Sequence, residues 1–153
     1  MIEISIPGRG DYCLAHLALD VNGTVALDGR LIEGVAERLR ALREHIQVHM
    51  LTADTFGMMA EIERELGFPA IRISSSAAKT AFVRQAGPAS VVAVGNGAND
   101  AGMLSAALLG IAVLGPEGLA RETLEAADVV APDILAALDL LSNPKRLIAT
   151  LRL

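Results

Sequence analysis

The chain has 153 residues, a formal net charge of −5, 52% apolar residues and a single cysteine. That length suits one domain with a full core, one that buries roughly two thirds of the surface its unfolded form exposes. The acidic balance, with basic residues scattered along the chain, excludes the electrostatic footprint of a nucleic-acid binder, and one thiol excludes a disulfide framework or a cysteine-built zinc site.

Met1 to Ile6 and Tyr12 to Leu19 are strand-like apolar runs separated by PGRGD, which predicts an N-terminal hairpin. The second run holds Cys13, read as a small core residue, and His16, read as a core or supporting residue, and it ends at Asp20. In VNGTVALDGRLI the dipeptides Asn22-Gly23 and Asp28-Gly29 are turn signals around a few β-favouring residues, consistent with a short flap. From Ile32 to Glu44 the apolar set Val35, Leu39 and Leu42 keeps helical spacing. Gln47 to Leu51 reads as a strand, and TADT as the capped start of a helix reaching about Leu66. His45 and His49 straddle a helix end and a strand, so their spacing is not that of a metal pair, and Met58 and Met59 read as packing or rim residues.

Ala70 to Ile73 is a further strand, and SSSAAKTAFVRQAG a capped helix ended by Gly87-Pro88. VVAVGNGANDAGML then reads as strand, tight loop and helix. Leu109 to Val113 is a strand, PEGLARETLEAAD a helix, Val129-Val130 a short strand, and from Ile134 onward come closing helices broken near Asn143-Pro144. The alternation of strand and helix implies an α/β fold: one domain over residues 1–153, three layers, with a doubly wound and mainly parallel sheet. The longest apolar runs, such as Leu108 to Leu114, fall short of a membrane span. The opening residues lack a charged-then-apolar leader, so a cytoplasmic location is expected, with no membrane and no nucleic acid as partner.

In open α/β sheets ligands sit at the carboxyl ends of the strands, which directs attention to Asp20, Thr52, Lys79 and Asp100. An acid, a hydroxyl, an amine and a second acid in one crevice can hold a phosphoryl group and its divalent metal. LALDVNGT resembles the first motif of the haloacid dehalogenase superfamily, MLTAD the second, Lys79 in SSAAKTAFV the third, and VAVGNGANDAGML the fourth. With the trailing LGIAV and ARETLEAADVVAPDILAALDLL, the series looks most like the phosphorylation domain of P-type ATPases in a freestanding form.

By that resemblance Asp20 is the nucleophile that forms an aspartyl-phosphate. Asp20, the backbone carbonyl of Asn22, Asn96 and Asp100 hold Mg²⁺, Thr52 hydrogen-bonds the phosphoryl group and Lys79 neutralises it. The resemblance implies a Rossmann-like core, and the stretch between Asp20 and Thr52 has room only for a flap and one helix, so no cap domain is expected. It implies a phosphatase acting on a phosphorylated small molecule or a phosphoprotein.

Two positions depart from the family pattern. Asn22 stands where phosphatases usually carry the aspartate that protonates the leaving group, which predicts slow turnover, and P-type ATPases have threonine there. Asn96 stands where the fourth motif typically has aspartate, which removes a charge from the metal site. These asparagines support an alternative, a weak or inactive relative kept as a phosphate-binding or regulatory module. A dinucleotide-binding loop at Gly95-Asn96-Gly97 is set aside because Asp100 occupies the third glycine position. A receiver domain is set aside because the required acidic pair is absent. The missing cap and the alanine- and leucine-rich helices fit assembly into a dimer or tetramer.

Overall fold

The computed structural model describes residues 1–53, 59–73 and 75–153. Strands β1 (Ile2–Ile6) and β2 (Gly10–Leu14) pair antiparallel as the N-terminal hairpin. β3 (His16–Asp20) follows, so the run from Tyr12 to Leu19 is two strands, parted at Ala15. Alternation along β2 turns Tyr12 and Leu14 inward and Cys13 outward, which corrects the core assignment of Cys13: the thiol is exposed. β4 (Ala26–Leu27) and β5 (Arg30–Leu31) form the short flap, with Asp28 at φ 50° in its turn.

Helix α1 (Val35–Leu42) buries Val35, Leu39 and Leu42, as their spacing requires. β6 (Gln47–Thr52) leads to α2 (Met59–Leu66), on which Met59 is a packing residue. Asp54, Thr55 and Met58, named above as part of a helix start and rim, lie outside the described residues. β7 (Ile71–Arg72) is shorter than predicted. α3 (Ser76–Ala86) is capped by Ser75, whose hydroxyl accepts from the Ala78 amide, and ends at Gly87.

β8 (Val91–Gly95), a 3-10 turn (Ala98–Asp100), α4 (Ala101–Ala106) and β9 (Leu109–Val113) complete the central segment. α5 (Arg121–Ala126) is shorter than the PEGLARETLEAAD run, because Gly115 and Gly118 pair across a tight loop that takes up its first residues. β10 (Val129–Ala131), α6 (Ile134–Ser142) and α7 (Pro144–Leu151) close the chain, with Pro144 in the first turn of α7, where its missing N–H costs nothing.

Among the described residues, six strands make one sheet in the order β10-β9-β8-β3-β6-β7, every neighbouring pair parallel. On one face Leu17, Leu19, Val92, Val94 and Ile111 pack with residues of α1, α2, α6 and α7; on the other, Ala18, Ala93 and Ala112 pack with Val83, Met103 and Leu104 of α3 and α4. This is the three-layer, doubly wound α/β arrangement, with no cap domain among the described residues. The small residues on the second face let α3 and α4 approach closely. A Cβ on Gly110 would stand 2.9 Å from the Leu104 carbonyl oxygen.

From β3 the chain winds outward to β6 and β7, then returns to β8 on the other side of β3 and winds outward again. The reversal beside β3 puts the topological switch point at the carboxyl ends of β3 and β8, the usual place for a ligand crevice in such sheets.

Candidate active site

The register aligns the ends of the central strands. Asp20 lies opposite Leu51, and Leu19 lies beside both Met50 and Val94, so Asp20, Thr52 and the Gly95-Asn96 step meet on one edge. Along β3 the apolar residues fill the interior and the last residue reaches the crevice as a carboxylate.

Lys79 comes to this carboxylate from α3. Its Nζ donates to Asp20 Oδ1 at 2.5 Å and to Asp100 Oδ1 at 2.7 Å. All three side chains are nearly sealed from solvent: Lys79 is 2% exposed, Asp20 7% and Asp100 0%. The stem of Lys79 crosses the α3–sheet interface and its ammonium is the cation between two anions. Burial favours the neutral amine, but the charges and hydrogen bonds of Asp20 and Asp100 outweigh it, and the ammonium is held more firmly than in an ordinary lysine. Burial and then the neighbouring Asp100 charge push the Asp20 carboxyl up to about 6, against the pull of Lys79 and of a Thr24 hydrogen bond.

Asp100 is set by the loop that carries it. Its Oδ2 accepts from the backbone amides of Asn96 (3.1 Å) and Gly97 (3.0 Å). Two donors occupy that oxygen, which leaves Oδ1 as the atom that faces Lys79. Gly95 makes this fold possible. A Cβ there would lie 2.5 Å from Asp100 Oδ2 and 2.6 Å from its Cβ and Cγ, so the absence of a side chain lets Asp100 tuck against the end of β8. The loop is anchored behind by Thr123, whose hydroxyl donates to the Gly97 carbonyl (2.5 Å), and by the Ala120 amide, which donates to the Asn96 carbonyl (2.9 Å).

Thr24 has no role in the sequence reading, yet it ties the first and fourth motifs together. Its hydroxyl lies 3.0 Å from Asp20 Oδ2 and 3.1 Å from Asn96 Oδ1, sharing one proton between them. The signal was present in the sequence, as the threonine four residues after Asp20, but its partner is 72 residues away. The Asn22 side chain is on the exposed rim, and its backbone bridges to Ala26 at the foot of the flap. Thr52 is buried at the end of β6. His16, by contrast, starts β3 at the opposite end of the sheet, where its Nδ1 meets His49 Nε2 at 3.2 Å, so it supports the pairing of β3 with β6 rather than the site.

The donors fit a small hard cation. Asp20 and Asp100 carboxylates, the Asn96 amide oxygen and the Asn22 backbone carbonyl are all oxygens, the ligand type Mg²⁺ takes. Two buried carboxylates face one ammonium here, and the upward push on Asp20 comes first from burial and second from the Asp100 charge. No group of three or more His, Cys, Asp or Glu side chains placed for a metal occurs among the described residues. A cation held here would have to draw on neutral oxygens and water as well.

A family model described as haloacid dehalogenase-like hydrolase matches residues 8–107. The chain belongs to that family. An uncharacterized protein of Methanocaldococcus jannaschii is 51% identical over 39 residues, covering 26% of this chain and 89% of that one. Among solved structures, the 3-deoxy-D-manno-octulosonate 8-phosphate phosphatase of Moraxella catarrhalis, in complex with magnesium ion, phosphate ion and KDO, superposes with a TM-score of 0.67 at 21% identity over 91% of this chain and 94% of that one. A zinc-transporting PIB-type ATPase in its E2.Pi state gives a TM-score of 0.64 at 27% identity, over 78% of this chain and 20% of that one. The fold is thus shared by a stand-alone hydrolase and by one domain of an ion pump, the two comparisons the four motifs suggest. No helix among the described residues is long and apolar enough to cross a membrane.

Proposed function

We propose that the protein is a Mg²⁺-dependent phosphohydrolase that works through an aspartyl-phosphate on Asp20 and turns over slowly because Asn22 replaces the usual acid–base residue. The observation that carries this reading is the buried Asp20–Lys79–Asp100 array at the carboxyl edge of the sheet. A nucleophilic carboxylate must be ionised and aimed, and Lys79 and Thr24 between them hold both of its oxygens. At pH 7 to 8 a group pushed up to about 6 is mostly carboxylate.

An Asp20 oxygen attacks phosphorus, the new O–P bond forms, and the bond to the leaving oxygen breaks. Lys79 and the Thr52 hydroxyl stabilise the charge on the transferring group, which is where most of the catalysis of phosphoryl transfer lies. Mg²⁺, if held by Asp20, Asp100, the Asn96 amide oxygen and the Asn22 carbonyl, would supply further neutralisation of the phosphoryl charge. The leaving oxygen takes its proton from water, because an amide at position 22 has none to give near neutral pH. Water then attacks the phosphorus, the Asp20–phosphorus linkage opens, and inorganic phosphate is released. Lacking a base at position 22, this second step is slow and the covalent intermediate accumulates.

The rival reading, a phosphate-binding or regulatory module with little turnover, draws on the neutral Asn22 and Asn96. A panel of aryl, acyl and sugar phosphates assayed with Mg²⁺ against Asp20→Asn as the blank separates the two. Turnover above the blank and abolished by chelator supports the enzyme; rates equal to the blank across the panel leave the binding module. Substrates of this kind imply a phosphorylated small molecule or a phosphoprotein as partner, met at the carboxyl edge of the sheet, over which the described residues form no cap domain.

A further inference from the structure

Opposite the Asp20–Asp100 array, the loop between β9 and α5 folds back over the first motif. Gly115 and Gly118 pair across it, the Gly118 amide donates to the Gly115 carbonyl (2.9 Å), and the face of Gly115 lies against the Gly23 carbonyl oxygen. At its tip is Glu117. Gly23, at φ +78°, leaves an open face toward the loop, and a Cβ built there would fall 2.4 Å from Glu117 Oε2 and 2.8 Å from Asn96 Nδ2. The Glu117 carboxylate and the Asn96 amide nitrogen therefore rest on the same glycine, next to the residue whose backbone carbonyl is a proposed cation ligand.

The hydrogen bonds fix which way the Asn96 amide points. Its oxygen accepts from Thr24 on the Asp20 side, and its nitrogen donates to the Gly118 carbonyl (3.2 Å) on the Glu117 side. An aspartate at this position would turn an oxygen toward a carbonyl oxygen and a carboxylate, with no proton to place between them. Asparagine is thus the residue that satisfies both sides of this loop at once. The fourth motif is one negative charge short at Asn96, and the Glu117 carboxylate stands on the nitrogen side of that amide, against Gly23.

We propose that Glu117 tunes the cation site from outside it: its carboxylate, on the β9–α5 loop behind Asn96, supplies part of the charge that position 96 lacks, and Asn96 is the neutral spacer that lets it approach. This rests on the reading of the site as a Mg²⁺ centre. Glu117 acts at a distance through charge, in a setting open to water, so its effect is moderate and screened by salt.

The test is Mg²⁺ binding to the metal-stripped protein by titration calorimetry at low ionic strength, for the wild type, Glu117→Gln, Glu117→Lys, Asn96→Asp and Asn96→Asp/Glu117→Gln. Glu117→Gln should weaken binding roughly three- to tenfold and Glu117→Lys more, with the difference shrinking as salt is raised. Asn96→Asp should gain little affinity alone, and at least threefold in the Glu117→Gln background, where the opposing carboxylate is gone. Because Glu117 is exposed, its two substitutions leave folding intact and carry the test by themselves if Asn96→Asp fails to fold. Unchanged Mg²⁺ affinity in Glu117→Gln and Glu117→Lys, or an equal gain from Asn96→Asp in both backgrounds, overturns the role of Glu117 while leaving the Mg²⁺ centre standing. A wild type that binds no Mg²⁺ overturns both.

Discussion

Asp20→Asn should make the protein more stable above pH 6 than the wild type is, relative to their difference in acid. In the folded protein Asp20 is pushed from an ordinary 3.8 to about 6, chiefly by burial and then by the Asp100 charge. Between those values the unfolded chain has released the proton and the folded chain keeps it, so folded stability falls as pH rises through this window and the loss is complete above the folded value. The asparagine does not titrate. The stability difference, variant minus wild type, should therefore grow by about 2 kcal/mol between pH 4.5 and pH 8, from ~1.4 kcal/mol per pH unit across the part of the window still ahead at pH 4.5. Lys79 keeps Asp100 as partner in the variant, so no buried cation is stranded. Urea unfolding of both proteins at the two pH values measures the change directly. A difference that is flat with pH, or that shrinks as pH rises, would refute the claim that burial and the Asp100 charge raise the Asp20 carboxyl in the folded protein.

Other consequences follow from the same geometry. Asn22→Asp, on the exposed rim, should raise turnover of alkyl phosphates by at least about tenfold and of aryl phosphates much less, since only a basic leaving group needs the proton; equal gains for both would remove Asn22 from the acid–base position. Gly95→Ala would drive a methyl group into the Asp100 side chain, so urea unfolding should show a loss of roughly 1–3 kcal/mol, and a loss below about 0.5 kcal/mol would mean that Asp100 is not confined as described. With Leu114 and Val130 exposed at the β10 edge, Leu124 exposed on α5, and no cap domain among the described residues, the chain should assemble into a dimer or tetramer; light scattering that reports a monomer at tens of micromolar removes that idea.

What the sequence made legible is the part governed by local rules. Asp20, Thr52 and the Gly95-Asn96 step could be placed because each follows an apolar run, and strand ends in a parallel sheet converge. Lys79 could be placed because a capped helix carries it. Helix α1 declared itself through Val35, Leu39 and Leu42. The misreadings arise where two periodic signals adjoin. Tyr12 to Leu19 is continuous in hydropathy, but Ala15 divides a hairpin strand from a core strand, and the alternation of the first one puts Cys13 in solvent. PEGLARETLEAAD has helical composition throughout, yet two glycines pairing with each other claim its start.

The contacts that were not legible are long-range. Thr24 with Asn96, Thr123 with Gly97, and Glu117 over Gly23 depend on loops from different crossovers meeting above the sheet, and no spacing within one segment announces them. They also alter the chemistry of the site. Read alone, Asn96 is a lost charge; in the fold it is a two-sided amide, with its oxygen to Thr24 and its nitrogen to the Gly118 carbonyl.

The most direct measurement of the central claim is acid-quench trapping. The protein is mixed with an acyl or aryl phosphate and Mg²⁺, quenched in acid within the first turnover, digested, and the peptides are read by mass spectrometry. The account predicts a phosphoryl group on the peptide containing Asp20, absent when chelator is present and absent in Asp20→Asn. Phosphate release that continues unchanged in Asp20→Asn, or a label that maps to another residue, would contradict it.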